Sequence, residues 1–266
     1  MFDLQPHGPD TFVGEGPRYP WGGLYGGQIV AQALRAAAFT VEAEFAPHSI
    51  RAYFIRPGDH TEPIRYEVDR IRNGRSFTTR RVVARQAIGA ILNAECSFQK
   101  SEHSVAMQSV QMPPVPAPDG LENTSFIARF DRRFVAAAEV GGPARDGLGR
   151  VVAWMRATDA FADVDEGPCL HECWLAYISD DLPSDTVRAA HRSVWEGDPD
   201  VQMSGTSLDH TIWFHRPLRS DQWHLYDFSC HHYVGARGLS IGHVFTQDGE
   251  HVATVAQEVL LREPRP

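Results

Sequence analysis

Residues 54–57 have the sequence Phe-Ile-Arg-Pro, and residues 214–217 repeat this pattern as Phe-His-Arg-Pro. Each copy lies at the end of a strand-like run that follows a helix-like run, and further strand-like runs come after each copy. A single tetrapeptide match can arise by chance, but agreement in both position and following order indicates an internal duplication. The sequence therefore predicts two copies of one fold joined in tandem.

The first copy contains one helix-like run followed by several strand-like runs. Apolar residues recur at helical spacing from Gln28 to about Phe39, and the small alanines there would let a sheet approach closely. The Asn73-Gly74 pair favours a hairpin. The strand-like runs cover residues 49–56, 64–69, 76–86 and 92–98. One helix followed by antiparallel strands is typical of an α+β fold, not of a βαβ alternation.

The second copy repeats this plan. The stretch from about Leu170 to His191 contains a helix-like run that we expect to end near Ser179-Asp180-Asp181. Asp248-Gly249 supplies a hairpin turn, as Asn73-Gly74 does in the first copy. The strand-like runs cover residues 209–216, 223–230, 239–246 and 252–261.

A polar, proline-rich connection separates the two copies. Residues 101–120 contain a Pro-Pro-Val-Pro segment and a further proline, which is typical of an extended connection. We place an N-terminal domain at residues 1–105, a linker at 106–120, and a C-terminal domain at 121–266. Each domain is predicted to be a long helix wrapped by an antiparallel sheet.

Composition limits the kinds of function that are plausible. A chain of 266 residues accommodates two domains, and 42% hydrophobic with 22% charged residues is the composition of a globular protein. A formal charge of −9 does not favour nucleic acid as a partner. The N-terminus lacks a signal-peptide pattern and no segment is apolar enough for a membrane span, so we expect a cytoplasmic protein. Four cysteines without a Cys-x-x-Cys motif predict reduced thiols and no zinc site.

Seven stretches of the sequence carry a recognisable pattern. They are GGQIVAQAL (26–34), HSIRAYFIRPGD (48–59), RNGRSFTTRRV (72–82), LDHTIWFHRP (208–217), ARG (236–238), TQDG (246–249) and QE (257–258). Together they resemble the motifs of the acyl-CoA thioesterase II family of double hotdog proteins. They occur in the family's order and cover most of the chain, apart from a weakly matched region from about Pro113 to Thr206.

The resemblance implies a hotdog fold in each half and hydrolysis of fatty acyl-CoA thioesters in lipid metabolism. It implies no cofactor, no metal and no nucleophilic serine. Family members use an Asp, a Thr or Ser, and a Gln to hold one attacking water. These positions match Asp209, His231 and Gln257 here, so a histidine stands where the family has a hydroxyl.

The chemistry of these side chains is consistent with that reaction. A thioester has a good leaving group, so its hydrolysis needs mainly a positioned water, a base and donors for the developing oxyanion. Asp209 could take the proton from the water, and the Gln257 amide could orient it. His231 could act as a base paired with Asp209, or it could simply fill a polar strand position beside His232.

Three further residues are candidates for substrate binding. Gly27, at the start of the first helix, would let a thioester carbonyl approach backbone N–H groups and form an oxyanion hole. Arg75 and Arg80 belong to a local basic group that could hold CoA phosphates, or that could instead pair with nearby carboxylates on a solvated sheet face.

Two other motifs do not support a site. Gly238-Leu239-Ser240-Ile241-Gly242 fits the nucleophile-elbow pattern, but strand-like residues follow it where the elbow requires a helix. Ser240 is therefore not predicted to be a nucleophile. The adjacent His231 and His232 point to opposite faces of a strand, so they cannot bind one metal ion together.

Two alternatives stay open at this point. A hotdog enoyl-CoA hydratase would use an Asp/His pair, although the Gly-Asp segment at residues 58–59 lacks the Asn-Pro that such sites carry. A catalytically lapsed protein that only binds acyl thioesters is the second alternative. A homo-oligomer is also possible, because an exposed sheet edge can pair with another copy.

Overall fold

The structure is a computed structural model that describes residues 1–142, 147–158, 169–194 and 203–262. The chain folds into two compact units. Among the described residues, the first unit contains Met1–Met107, 169–177 and His210–Phe214, and the second contains the others. Each unit has the predicted plan of a helix packed on an antiparallel sheet.

In the first unit, a buried helix packs against one face of a sheet. All residues of this helix except Gly26 are buried, and it contacts β2 through β6. Ala, Leu and Gln favour helix formation, and burial of one Ile or Leu contributes about 1.5–3 kcal/mol. The elements are β1 (Gln5–Pro6), β2 (Thr11–Gly14), α1 (Gly26–Ala38), β3 (Phe45–Phe54), β4 (Ile64–Asn73), β5 (Phe77–Gln86) and β6 (Gly89–Lys100). The strand order is β1-β2-β4-β5-β6-β3.

The remaining elements follow in chain order. They are β7 (Phe130–Phe134), β8 (Leu148–Ala157), α2 (Leu170–Ile178), α3 (Pro183–Val194), β9 (Ser204–Ser207), β10 (Asp209–Phe214), β11 (His224–Val234), β12 (Arg237–Thr246) and β13 (His251–Arg262). In the second unit the strand order is β13-β12-β11-β8-β7, and β9 also pairs with β13. The helix that packs on this sheet is α3, which contacts β8, β9, β11, β12 and β13.

The sequence repeat corresponds to a structural repeat. Phe54 is the last residue of β3, and Phe214 is the last residue of β10. The residue after each phenylalanine then donates its N–H to a strand backbone: Ile55 to the carbonyl of Ile91 at 2.9 Å, and His215 to that of Val252 at 2.8 Å. The Phe-x-Arg-Pro pattern therefore marks the same bend in both copies.

The proline-rich segment packs against the second unit. Val110, Met112 and Val115 contact a buried cluster that includes Trp154 and Phe245. The indole N–H of Trp154 also donates to the carbonyl of Pro116 at 2.8 Å. These contacts hold the predicted linker against β8 and β12 of the second sheet.

Candidate active site

Gln257 lies on the face of the second sheet that is covered by α3. It pairs with Ser240 on β12, and Ser240 pairs with Cys230 on β11, so these three side chains share one face. The hydroxyls of Ser240 and Thr186 of α3 are 2.8 Å apart, which identifies this face as the helix-covered one. The Gln257 side chain is fully buried.

The amide of Gln257 is directed at a serine on the neighbouring strand. Its Nε2 donates to the Oγ of Ser207 at 2.7 Å. Ser207 reaches this position because β9 pairs with β13 in a register that places Ser207 opposite Val259. Val259 and Gln257 are two residues apart on β13, so their side chains and that of Ser207 lie on the same face.

A carboxylate completes this group. The Ser207 hydroxyl is 3.4 Å from Oδ1 of Asp180, a side chain that is only 7% exposed. Asp180 follows the end of α2 at Ile178 and precedes the start of α3 at Pro183. The second unit therefore brings together an Asp, a Ser and a Gln, the three residue types that the sequence resemblance implies.

Asp209 lies next to this group but contacts a different atom. Its Oδ1 accepts a hydrogen bond from the backbone N–H of Glu258 at 2.7 Å. The carbonyl of Glu258 in turn accepts from the N–H of Leu208 at 2.9 Å. Burial raises the pKa of Asp209, and the bond from Glu258 opposes this shift. Asp209 thus fixes the backbone of the residue that follows Gln257.

His231 lies away from the helix-covered face. It is the extra residue of a β-bulge, because the pairing of β11 with β12 shifts between Cys230 and His232. Its Nε2 is 3.4 Å from the hydroxyl of Ser229, and the side chain is exposed. Since Ser229 and Cys230 are adjacent on a strand, they point to opposite faces, so the structure does not bring His231 to Gln257.

Gly27 lies in the first turn of α1, within the first unit. It is buried, and Tyr25, which precedes this helix, packs within an aromatic cluster. The hydroxyl of Tyr19 donates to Oε1 of the next residue, Gln28, at 2.8 Å. The rings of Tyr19 and Tyr25 are 5.6 Å apart. Gly27 and Gln257 belong to different compact units.

The two arginines predicted to bind CoA phosphates differ in their environments. Arg75 is exposed near the tip of the β4–β5 hairpin. Arg80 is only 2% exposed, and its five N–H groups all donate within the first unit. Their acceptors are the hydroxyl and carbonyl of Thr40, the carbonyls of Arg72 and Thr79, and Oδ1 of Asn73. All five Arg80 N–H groups are therefore bonded within the first unit, an arrangement that disfavours Arg80 as a phosphate ligand.

Other features of the described residues bear on the kind of site. Ser240 is fully buried and β12 continues past it to Thr246, so the nucleophile-elbow pattern is structurally unsupported, as expected. Within residues 1–142, 147–158, 169–194 and 203–262, no three His, Cys, Asp or Glu side chains are grouped as metal ligands. None of the helices in this part of the chain has the length and apolar character needed to cross a bilayer.

An amide, a hydroxyl and a carboxylate in contact can hold a water molecule and accept its proton. The amide can donate to the water oxygen, the hydroxyl oxygen can accept a hydrogen bond from the water, and the carboxylate can accept its proton. The sequence provided Gln257 for this group but not Asp180 or Ser207. The Ser-Asp-Asp sequence after α2 and the serine two residues before Asp209 are the only local signals for them.

Comparisons with known proteins identify the family to which the chain belongs. Residues 16–99 match the family profile described as "Acyl-CoA thioesterase N-terminal domain", and residues 109–261 match "Acyl-CoA thioesterase C-terminal domain". The chain is 34% identical to acyl-coenzyme A thioesterase 8 of Homo sapiens, over 98% of this chain and 88% of that protein. It is 32% identical to acyl-CoA thioesterase 2 of Haemophilus influenzae, over 94% and 92%.

Solved structures show the same similarity. The acyl-CoA thioesterase II TesB2 from Mycobacterium marinum superposes with a TM-score of 0.84 at 33% identity, covering 100% of this chain and 98% of that one. A hot dog fold protein from Alicyclobacillus acidocaldarius superposes with a TM-score of 0.77 at 20% identity, covering 99% and 97%. These similarities confirm the predicted tandem hotdog fold.

Proposed function

The chain belongs to the acyl-CoA thioesterase II family and hydrolyses acyl-CoA thioesters, and from this premise we propose that Asp180, Ser207 and Gln257 hold the attacking water. The observation that carries this proposal is the hydrogen bond from Gln257 to Ser207 at 2.7 Å, with Asp180 on the other side of the same hydroxyl. Family membership favours hydrolysis over the hydratase and the binding-only alternatives.

In the proposed reaction, the carboxylate of Asp180 is the general base. The Gln257 amide and the Ser207 hydroxyl position the water, and Asp180 takes its proton as the water oxygen bonds to the thioester carbonyl carbon. The carbon–sulfur bond then breaks, the carbonyl re-forms, and the CoA sulfur leaves as a thiolate that takes up a proton. The products are a free carboxylic acid and CoA.

Asp209 has a supporting role in this proposal. Its carboxylate accepts the N–H of Glu258 and so holds β13 in register beside Gln257. A carboxylate committed to a backbone N–H can still take a proton, and burial raises its pKa toward the range useful for a base. Asp180 is the better candidate because its contact is with Ser207, which the Gln257 amide also contacts.

The proposal excludes a covalent acyl-enzyme, and a single-turnover experiment in heavy-oxygen water tests this. With enzyme in excess of acyl-CoA, direct attack places the label in the released acid on the first turnover. Attack by a carboxylate would instead leave label in Asp180 or Asp209 after the anhydride is hydrolysed at the protein side. Mass spectrometry of the acid and of the peptides that contain these residues distinguishes the two results.

The acyl group, the cofactor requirement and the cellular compartment are also part of this proposal. We infer that the acyl group is a fatty acyl chain, that no metal or other cofactor takes part, and that the enzyme works in the cytoplasm. Hydrolysis at full rate after dialysis against a chelator would support cofactor independence, and loss of rate that is restored by a divalent metal would contradict it.

Light scattering of the purified protein would show whether it forms the homo-oligomer that its sheet edges allow.

A further inference from the structure

A buried ion pair lies directly beside the proposed base. Nη1 of Arg132 is 2.6 Å from Oδ2 of Asp181, and the two side chains are 9% and 1% exposed. Arg132 lies on β7, and Asp181 is the residue after Asp180. Both belong to the second unit.

Arg132 is also held by contacts with residues other than Asp181. Its guanidinium lies over the rings of Phe126 and Phe134, at 5.0 and 4.6 Å from their centroids. Its Nη2 also donates to the carbonyl of Thr124 at 2.8 Å. Arginine favours such stacked positions because its charge is planar and weakly hydrated. These contacts hold the Arg132 guanidinium in place, so its ion pair can fix the position of the Asp181 carboxylate.

The pair is not fully satisfied. Within the described residues, Nε of Arg132 and Oδ1 of Asp181 are buried without a hydrogen-bond partner. Removing two charges from water is costly, and an incompletely bonded pair recovers less of that cost. A pair of this kind contributes little to stability, which points to a role in holding a particular local geometry.

The short segment that Asp181 anchors also carries Asp180. The N–H of Asp181 donates to the carbonyl of Ile178 at 3.1 Å, and α3 begins at Pro183. Because Asp180 is joined directly to Asp181, a shift of Asp181 moves the backbone from which the Asp180 carboxylate projects toward Ser207.

We propose that Arg132 is a positioning residue, which acts through Asp181 to keep the carboxylate of Asp180 at the hydroxyl of Ser207. This inference rests on the proposed function of Asp180. A displacement of about 1 Å at a reacting group can cost about 10²-fold in rate, so a small shift of this segment is enough to matter.

Three variants separate positioning from stability. Arg132→Met leaves Asp181 without its partner, and Arg132→Met/Asp181→Leu replaces the pair by apolar side chains, a change that often restores stability. Arg150→Met is the matched control, because Arg150 and Asp227 form another pair with a buried carboxylate in this unit, at 2.8 and 2.9 Å. For each variant, kcat and KM for an acyl-CoA are measured beside urea unfolding.

The proposal predicts that Arg132→Met lowers kcat per folded molecule about 10-fold or more, with KM within about two-fold of wild type. The double variant regains resistance to urea but not kcat, while Arg150→Met loses resistance and keeps kcat. A double variant with wild-type kcat would overturn the inference, even if the single variant does not fold. Asp180→Asn, measured in parallel, tests the base separately: full activity in that variant contradicts the proposed function, not the positioning alone.

Discussion

The side-chain amide of Gln257 donates a hydrogen bond of 2.7 Å to the hydroxyl of Ser207, a residue on a different strand. The register of β9 on β13 sets this contact, since it places Ser207 opposite Val259. With its Nε2 held in this way and its side chain fully buried, Gln257 cannot rotate freely. This restriction suits a group whose task is to orient a water molecule.

Replacement of Ser207 tests the hydroxyl. Ser207→Ala removes the acceptor of the Gln257 amide and a donor to Asp180, so we expect kcat to fall by about 10²-fold. Ser204→Ala is the control, because Ser204 lies on the same strand and is exposed. Steady-state thiol release measures both. Equal rates in the two variants would remove Ser207 from the proposed site.

Gln257→Ala tests the amide. The change removes the water-orienting donor, and kcat is expected to fall by about 10²-fold. Gln247→Ala, in the exposed β12–β13 turn, is the matched control for loss of a glutamine amide. Stopped-flow measurement of one turnover shows whether the loss is in the chemical step. A change confined to product release would contradict the assigned role.

The strands could be predicted from the sequence because their patterns are local. Ile64, Tyr66 and Val68 are buried on β4, as their alternation with charged residues predicts. The hairpin at Asn73-Gly74 is confirmed by a 2.9 Å bond from the N–H of Gly74 to the carbonyl of Phe77. In contrast, β7 is not predicted from its sequence Phe-Asp-Arg-Arg-Phe, because the partners that bury its two arginines include Asp181 and Trp223, which lie far away in the chain. Helix α3, which begins just after the expected end of the helix near Ser179-Asp180-Asp181, is not predicted from the sequence either.

The candidate site was harder to predict because it depends on non-local pairing. Asp180 lies between α2 and α3, whereas Ser207 is the last residue of β9. Only the pairing of β9 with β13 brings Ser207 to Gln257. The sequence motif drew attention to Asp209 and His231 instead. Asp209 does bind the backbone N–H of Glu258, the residue next to Gln257. His231, in contrast, lies in the bulge of β11 and faces Ser229. A bulge of this kind has no signal in the sequence itself.

His231→Ala tests the histidine directly. Because its ring lies beside Ser229 on the face opposite Gln257, we expect kcat and KM to stay within about two-fold of the wild-type values. The adjacent His232, which is also exposed, provides the matched His232→Ala control. A loss of kcat specific to His231→Ala, measured across a range of pH, would show that the imidazole takes part in catalysis.

Arg80 is expected to stabilise the first unit and not to bind CoA. Arg80→Leu leaves the acceptors on Thr40, Asn73 and Arg72 without their donor, which should lower the free energy of unfolding by about 3 kcal/mol. Urea unfolding measures this loss. The KM for acyl-CoA should stay unchanged in the folded fraction, and a raised KM without a loss of stability would restore Arg80 as a phosphate ligand.

Asp181 should make stability depend on pH. Burial raises its pKa to about 6 in spite of the neighbouring Arg132, whereas an unfolded aspartate titrates near about 3.9. Between these values the native state keeps a proton that the unfolded state has released, so the free energy of unfolding falls as pH rises. We therefore expect the free energy of unfolding to decrease steadily across this window. Asp181→Asn should remove that slope in urea titrations, and an unchanged slope would contradict the assignment.

Asp180 is proposed as the general base, and a comparison of kcat between Asp180→Asn and Asp209→Asn is the sharpest test of that assignment. Both changes keep side-chain volume and remove one charge, and Asp248→Asn in the exposed β12–β13 turn is the control. With the best substrate of an acyl-CoA chain-length series, Asp180→Asn should lower kcat by on the order of 10³-fold. Asp209→Asn should lower it by about 10-fold at most. Wild-type kcat in Asp180→Asn together with inactivity of Asp209→Asn would contradict the claim and place the base at Asp209.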